Sequence, residues 1–313
     1  MRPVRIAKVA TAASDTIRRM AQGVASQTDS RPDLPPETVL RPRRGWIAVN
    51  FRELWQFRDL VLQLAKREVV VRYKQTVIGA LWAVIQPILT MVVFTALFKL
   101  LGRGMPADEG TPYAVSTFAA LLPWQLFAGS LARSSESLVA NQSLITKVYF
   151  PRLVIPIAPT LSACVDFGVA FLVLIGIMLW YGIVPTAAVL ALPLLVLLAV
   201  AASLSVSIWF SALTSLYRDF RFIVPFIVQL GMFVSPVVYD SASLDLEEKI
   251  GAWAWLYQLN PMVGVIEGFR WALLGQAEPP WSAMAVSVVA VAGLLVLGML
   301  FFRRMERTFA DLV

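Results

Sequence analysis

The chain has 313 residues, of which 58% are hydrophobic and 15% charged, with a net charge of +7. A soluble domain typically holds about 45–50% apolar and about 25% charged residues, so the surplus apolar surface here needs lipid rather than a larger core. A single cysteine and no histidine exclude an internal disulfide, a zinc site and a Ser/His/Asp mechanism.

Residues 1–45 are rich in Arg, Ser, Thr and Pro, as in "SRPDLPPETVLRPRR", with little periodicity, and are expected to form a disordered arm. The first 50 residues contain no apolar run of the signal-peptide kind, so the N-terminus is expected to stay on the side where it is made. A second region, 46–77, carries Leu54, Phe57, Val61 and Leu64 at intervals of three or four, with Arg58, Lys66, Arg67 and Arg72 elsewhere on the wheel. That pattern predicts an amphipathic helix over 53–74, lying at the membrane interface or packed on a partner protein.

From residue 78 to 313 the chain reads as a membrane domain. Spans of about 20 mostly apolar residues are predicted at 78–101, 113–132, 153–180, 186–213, 222–238 and 282–302. The Lys and Arg residues divide 23 to 4 between the two sides of this arrangement, and Arg67, Arg72, Lys74, Lys147, Arg152, Arg218, Arg221, Arg303 and Arg304 all lie near span ends. Basic residues concentrate on the cytoplasmic side, so both termini are expected in the cytoplasm. Topology and anionic lipid thus account for the positive charge without any nucleic acid.

Between the second and third spans, "SSESLVANQSLITKVYFPR" (134–152) can form a short helix stopped by Pro151, with Leu138, Ile145 and Val148 on one face. The face either docks on another protein or folds back onto the spans. Asp166 stands near the middle of the third span. Burying it charged costs roughly 2.5–3.5 kcal/mol, so it needs a donor, a polar cavity or a proton; a packing role between helices and a proton relay are both open. Trp124 and Phe127, three apart in "LLPWQLF", are aromatics of the kind that form membrane-interface belts.

After the fifth span comes "NPMVGVIEGFRWALLG" (260–275), too short to span and carrying Glu267 and Arg270. A charged helix at membrane depth is tolerated where protein or water surrounds it, which predicts a re-entrant helical pair, the second helix beginning at Asn260 and Pro261. An interfacial helix is the alternative. Glu267 and Arg270 fall at i, i+3, where they can pair. No G-x-x-x-x-G-K-[ST] stretch occurs, so this sequence contains no phosphate-cradling loop for ATP.

Several motifs in order carry a resemblance: Arg72, Tyr73, Lys74 with Gly79, Trp82 and Pro87; Asn141, Leu144, Ile145, Lys147, Val148, Tyr149, Phe150, Pro151 and Arg152; "LYRDF" at 216–220; and the 260–275 stretch itself. Residues 53–307 resemble the permease subunit of type-2 ABC exporters of cell-envelope polysaccharide, the O-antigen, capsule and teichoic-acid export family. Ile78 stands where Leu is expected, and the arm before Arg44 lies outside the pattern.

The resemblance implies an all-α membrane protein of the bacterial inner membrane with six transmembrane helices. It implies a homodimer that works with two copies of a separate ATPase subunit, which would hold the ATP and Mg, so that this chain is a transport subunit with no cofactor or metal of its own. It implies a cytoplasmic gate helix ending at Arg72, Tyr73 and Lys74 beside the substrate entrance, where basic groups suit a diphosphate. It further implies an ATPase-coupling helix comprising Asn141, Leu144, Ile145, Lys147, Tyr149 and Arg152, and extracytoplasmic re-entrant helices closing the outer end of the path. The implied cargo is a lipid-diphosphate-linked polysaccharide, whose path would be lined by Trp124, Phe127 and Asp166, with the aromatic rings stacking on sugar faces; the same fold also serves exporters of a small drug or lipid.

Overall fold

The computed structural model describes residues 51–74, 81–100, 112–184, 186–239, 251, 257–275 and 278–312, and among them no strand occurs. The proposed arm, 1–45, and the first member of the predicted re-entrant pair fall outside the described residues. The helices, in order, are α1 (Phe51–Gln56), α2 (Arg58–Lys74), α3 (Trp82–Leu100), α4 (Tyr113–Ala140), α5 (Gln142–Lys147), α6 (Val154–Trp180), α7 (Leu192–Leu216, entered through a 3-10 turn at Ala187–Ala191), α8 (Phe220–Val234), α9 (Pro261–Leu274) and α10 (Trp281–Leu312).

Four segments are long and apolar enough to cross a membrane: Tyr113–Ala140, Val154–Trp180, Ala187–Leu216 and Trp281–Glu306. The stretches Trp82–Leu97 and Phe220–Val234 are apolar but shorter. At 15 residues, α8 is about 22 Å long against a hydrocarbon core of about 30 Å. It ends at Val234, four residues before the predicted boundary, because Ser235 adopts an extended conformation and residues 235–239 form turns.

The helix α4 is the centre of the bundle, in contact with α3, α6, α7, α8 and α9. Its mean hydropathy is 1.3, against 2.3–2.6 for the other three spans, yet 72% of its apolar window is buried, against 22–28% in theirs. The two facts have one cause: a helix walled by other helices need not be soluble in lipid, so it can hold Ser, Thr and Arg. Predicted to end at residue 132, α4 instead continues to Ala140, and so carries Arg133 and Glu136 on an unbroken helix.

The amphipathic pattern over 53–74 forms two helices divided at Phe57. Its apolar positions Leu54, Phe57, Val61 and Leu64 all pack on the protein, against Leu138, Phe150, Val154, Ile155 and Phe302. Trp55 and Leu62, 68% and 58% exposed, point away. Because Val61 meets the start of α6 while Arg72 reaches Ser162 and Asp166, α2 runs alongside the first half of α6 and its last turn arrives near mid-span.

At the other end, α9 is walled in by α4, α7 and α10. It begins where the Asn260–Pro261 pair predicts: the Asn260 side chain accepts from the Met262 N–H (3.0 Å), and Pro261 occupies the first turn. It ends at Gly275, whose φ of 70° is the left-handed conformation that glycine adopts without strain. Two further glycines make the seat. A methyl at Gly264 would lie 2.2 Å from the Ala283 carbonyl oxygen, and one at Gly268 would lie 2.7 Å from Leu195. This small-x-x-x-small spacing lets helix backbones approach closely in membranes.

Candidate functional site

The site grows from one charge. Asp166 cannot remain charged near the middle of α6 without donors, and three residues from other helices supply them. Arg72 Nη1 forms an ion pair with Oδ2, the Tyr73 hydroxyl donates to Oδ1, and Arg133 Nη2 stands 3.5 Å from Oδ2. Arg72 Nη2 also donates to Ser162 Oγ (3.2 Å), one turn before Asp166 on the same face of α6. The side chains of Arg72 and Asp166 are 30% and 25% exposed, so the pair is half-buried. Arg72 and Tyr73, named from the sequence as gate residues, and Asp166, named as a path residue, therefore form a single cluster. Lys74 is exposed beside it.

A cavity of about 590 Å³ adjoins the cluster, between α2, α4, α6 and α8. Its charged lining comprises Arg67, Arg72, Arg133 and Arg221 with Glu68 and Glu136. The arginines outnumber the carboxylates, so the cavity suits an anion. Burial raises the Glu68 carboxyl above its ordinary 4.5, and the Arg133, Arg72 and Arg67 guanidinium groups oppose that shift. Burial likewise raises the Tyr73 phenol, with the hydrogen bond to Asp166 adding to it, so the hydroxyl stays a donor at neutral pH. A second cavity, about 650 Å³, lies between α6, α7 and α9 and is lined by apolar residues such as Phe167, Met178, Leu192 and Leu273.

Sequence reading missed Arg133, Glu68 and Arg221 as members of this site. Arg133 was hidden because it fell one residue beyond a span boundary drawn on hydropathy; the Ser, Arg and Glu run at 133–137 is tolerated inside a helix only because α4 is interior. Trp124 and Phe127 are core residues, 5% and 7% exposed, their rings 5.4 Å apart. Trp124 also fills the space over Gly231 of α8, so these rings pack within the described chain.

The 141–152 segment divides in two. Leu144 and Ile145 are half-buried and packed on the protein's own core, and Arg152 donates to the main-chain carbonyl of Glu306 on α10. Asn141 donates to the Ser137 carbonyl (2.9 Å). The outward part is Lys147, Val148 and Tyr149, the last two 53% and 68% exposed. Of the two alternatives posed, folding back holds for Leu144, Ile145 and Arg152, whereas Lys147, Val148 and Tyr149 face outward.

Arg270, 3% exposed on α9, donates to the carbonyls of Val237 (3.0 Å) and Tyr239 (2.8 Å). Asn260 donates to Ser235 Oγ (2.9 Å) and the Tyr113 hydroxyl to the Val238 carbonyl (3.1 Å). The turn after α8 is thus held from two helices. Glu267 is half-buried, one turn before Arg270.

Residues 59–274 match the sequence family described as ABC-2 type transporter. The O-antigen export system permease protein RfbA of Myxococcus xanthus is 30% identical over 243 residues, 76% of this chain and 90% of that protein. A protein of the same name from Klebsiella pneumoniae is 29% identical over 258 residues, 82% of this chain and 95% of its own length. A helical chain with span-length apolar segments, matched by the family over most of its length, is a multi-pass membrane subunit belonging to the ABC-2 type transporter family.

Proposed function

We propose that this chain is the permease of an ATP-driven exporter that moves a lipid-diphosphate-linked polysaccharide of the O-antigen type out of the cytoplasm. The observation that carries the reading is the match, over 76–82% of this chain and 90–95% of theirs, with relatives named as O-antigen export permeases. In this reading two copies of the chain form a homodimer in the bacterial inner membrane and bind two copies of a separate ABC ATPase, which holds the ATP and Mg. The relatives' names disfavour the alternative cargo, a small drug or lipid.

Six spans follow if the shorter helices α3 and α8 also cross the bilayer, and the distribution of basic residues supports cytoplasmic termini. The helix α2 then acts as the gate at the substrate entrance, with the arginine-lined cavity beside it suited to the diphosphate. The exposed Val148 and Tyr149 beside α5 offer the contact to the ATPase. At the opposite end α9 dips back among the spans, where Arg270 can be buried because main-chain carbonyls receive it. This architecture keeps the lipid in the membrane while the glycan passes through.

The experiment is deletion of the gene in its native host, followed by analysis of surface glycan and of lipid-linked glycan inside the cell. The expected result is loss of the former and accumulation of the latter, reversed by the wild-type gene. Normal surface glycan in the deletion strain refutes the reading.

A further inference from the structure

We infer that Asp166 is a built-in counter-anion that holds the last turn of α2 against α6, and that a diphosphate group takes its place on Arg72 and Arg133 to release that turn. The inference rests on the reading of α2 as the gate and of the cargo as diphosphate-linked. The site belongs to three helices at once, since Arg72 and Tyr73 come from α2, Arg133 from α4 and Asp166 from α6.

Three observations carry it. First, two guanidinium groups converge on one carboxylate oxygen, and with Arg67 and Arg221 the arginines around it number four against the carboxyls of Asp166, Glu68 and Glu136. Second, Arg133 Nε is buried with no hydrogen bond among the described residues, and its Nη2 meets Asp166 only as an ion pair at 3.5 Å, too long and loose to saturate it, which leaves donor capacity for additional acceptor oxygens. Third, the cavity that would admit the ligand is bordered by these same arginines, with Arg67 and Arg221 adding further positive charge.

Exchange has a direction set by charge. A carboxylate offers one negative charge and two oxygens, whereas a diphosphate offers more of both, so it can satisfy Arg72 and Arg133 together. Displacing Asp166 removes its ion pair at mid-span, so the freed carboxylate must take its hydrogen bonds from Ser162 and from water entering behind the departing turn, a cost that opposes the exchange. A singly charged anion gains too little to overcome that cost, so the latch discriminates by charge number, and the gate opens for a diphosphate and stays closed for ordinary anionic lipid. The hydroxyl of Tyr73 sets the threshold, because it holds Asp166 on the gate side and leaves with the turn.

The test uses the full-length chain in phosphatidylcholine nanodiscs, with Cys164→Ser and a nitroxide on Val70→Cys, a position 42% exposed on α2. The expected result is an immobilised label that inorganic pyrophosphate mobilises, while chloride at equal ionic strength and nanodiscs containing phosphatidylglycerol do not. Asp166→Asn should mobilise the label without ligand and abolish the pyrophosphate response. Tyr73→Phe, which removes a single hydrogen bond, should lower the half-saturating pyrophosphate concentration about 2- to 10-fold. The inference is overturned if pyrophosphate leaves the label immobile, if chloride mobilises it equally, or if Tyr73→Phe leaves the half-saturating concentration unchanged; the last holds even if Asp166→Asn does not fold. The spectra require no glycan, so failure here is distinct from failure of the export reading, which the deletion strain reports.

Discussion

Gly264→Ala isolates the close approach of α9 to α10. The added methyl carbon would lie 2.2 Å from the Ala283 carbonyl oxygen, 2.4 Å from its carbon and 2.7 Å from the Met284 nitrogen. These are main-chain atoms inside a helix and cannot rotate aside, while carbon atoms at rest sit about 3.5–4.0 Å from their neighbours. The two helices must therefore part by more than about 1 Å. Overpacking of this kind costs about 1–3 kcal/mol. Parting also stretches the hydrogen bond from the Gly264 N–H to Ser287 Oγ, now 3.0 Å and buried, at about 0.5–1.5 kcal/mol. Alanine recovers about 1 kcal/mol of helix propensity, so the net loss is about 0.5–3.5 kcal/mol. The assay is the apparent melting temperature of the detergent-purified chain, read by size-exclusion chromatography after heating. Gly293→Ala on α10, where a methyl meets nothing within 4 Å, serves as the control and should leave melting unchanged or raise it. If Gly264→Ala melts like Gly293→Ala, the contact between α9 and α10 is not as described.

Tyr149→Asp should prevent co-purification of the ATPase while leaving the chain's melting unchanged, because the side chain is exposed; Leu144→Asp should lower the melting of the isolated chain, because it enters the core. Full co-purification with Tyr149→Asp would place the ATPase contact elsewhere. Arg270→Ala strands the carbonyls of Val237 and Tyr239, at about 1–3 kcal/mol each, and should severely reduce export, and the swap Glu267→Arg with Arg270→Glu should not restore it, because a carboxylate cannot donate to those carbonyls; near-normal export by Arg270→Ala would assign α9 to a solvated surface. For Glu68, the raised folded carboxyl value means that its contribution to stability is present below the unfolded value and is lost as pH rises through the folded one. Glu68→Gln should flatten the decline of melting temperature between pH 4.5 and 8, and an unchanged slope would contradict burial of that carboxyl.

Hydropathy and basic-residue placement reach far on their own in a membrane protein, because lipid leaves the backbone few options and long apolar runs must become helices. The all-helical class, the spans at 153–180 and 282–302, and the start of α9 at Asn260–Pro261 were legible for this reason. So was the need for Asp166 to find a donor. The identity of the donors was not, because Arg72 and Tyr73 precede Asp166 by more than 90 residues and only the course of α2 along α6 brings them together. Arg133 joined them once α4 ran on to Ala140, an extension that hydropathy opposes and burial permits. The same limit hid the packing of Trp124 over Gly231 and the contrast between Leu144 and Tyr149: residue type and spacing set which faces are apolar, whereas what each face meets depends on helix packing. Tertiary structure alone converts a buried charge into a particular ion pair, since the energy that selects the partner comes from excluding water at a place no single helix defines.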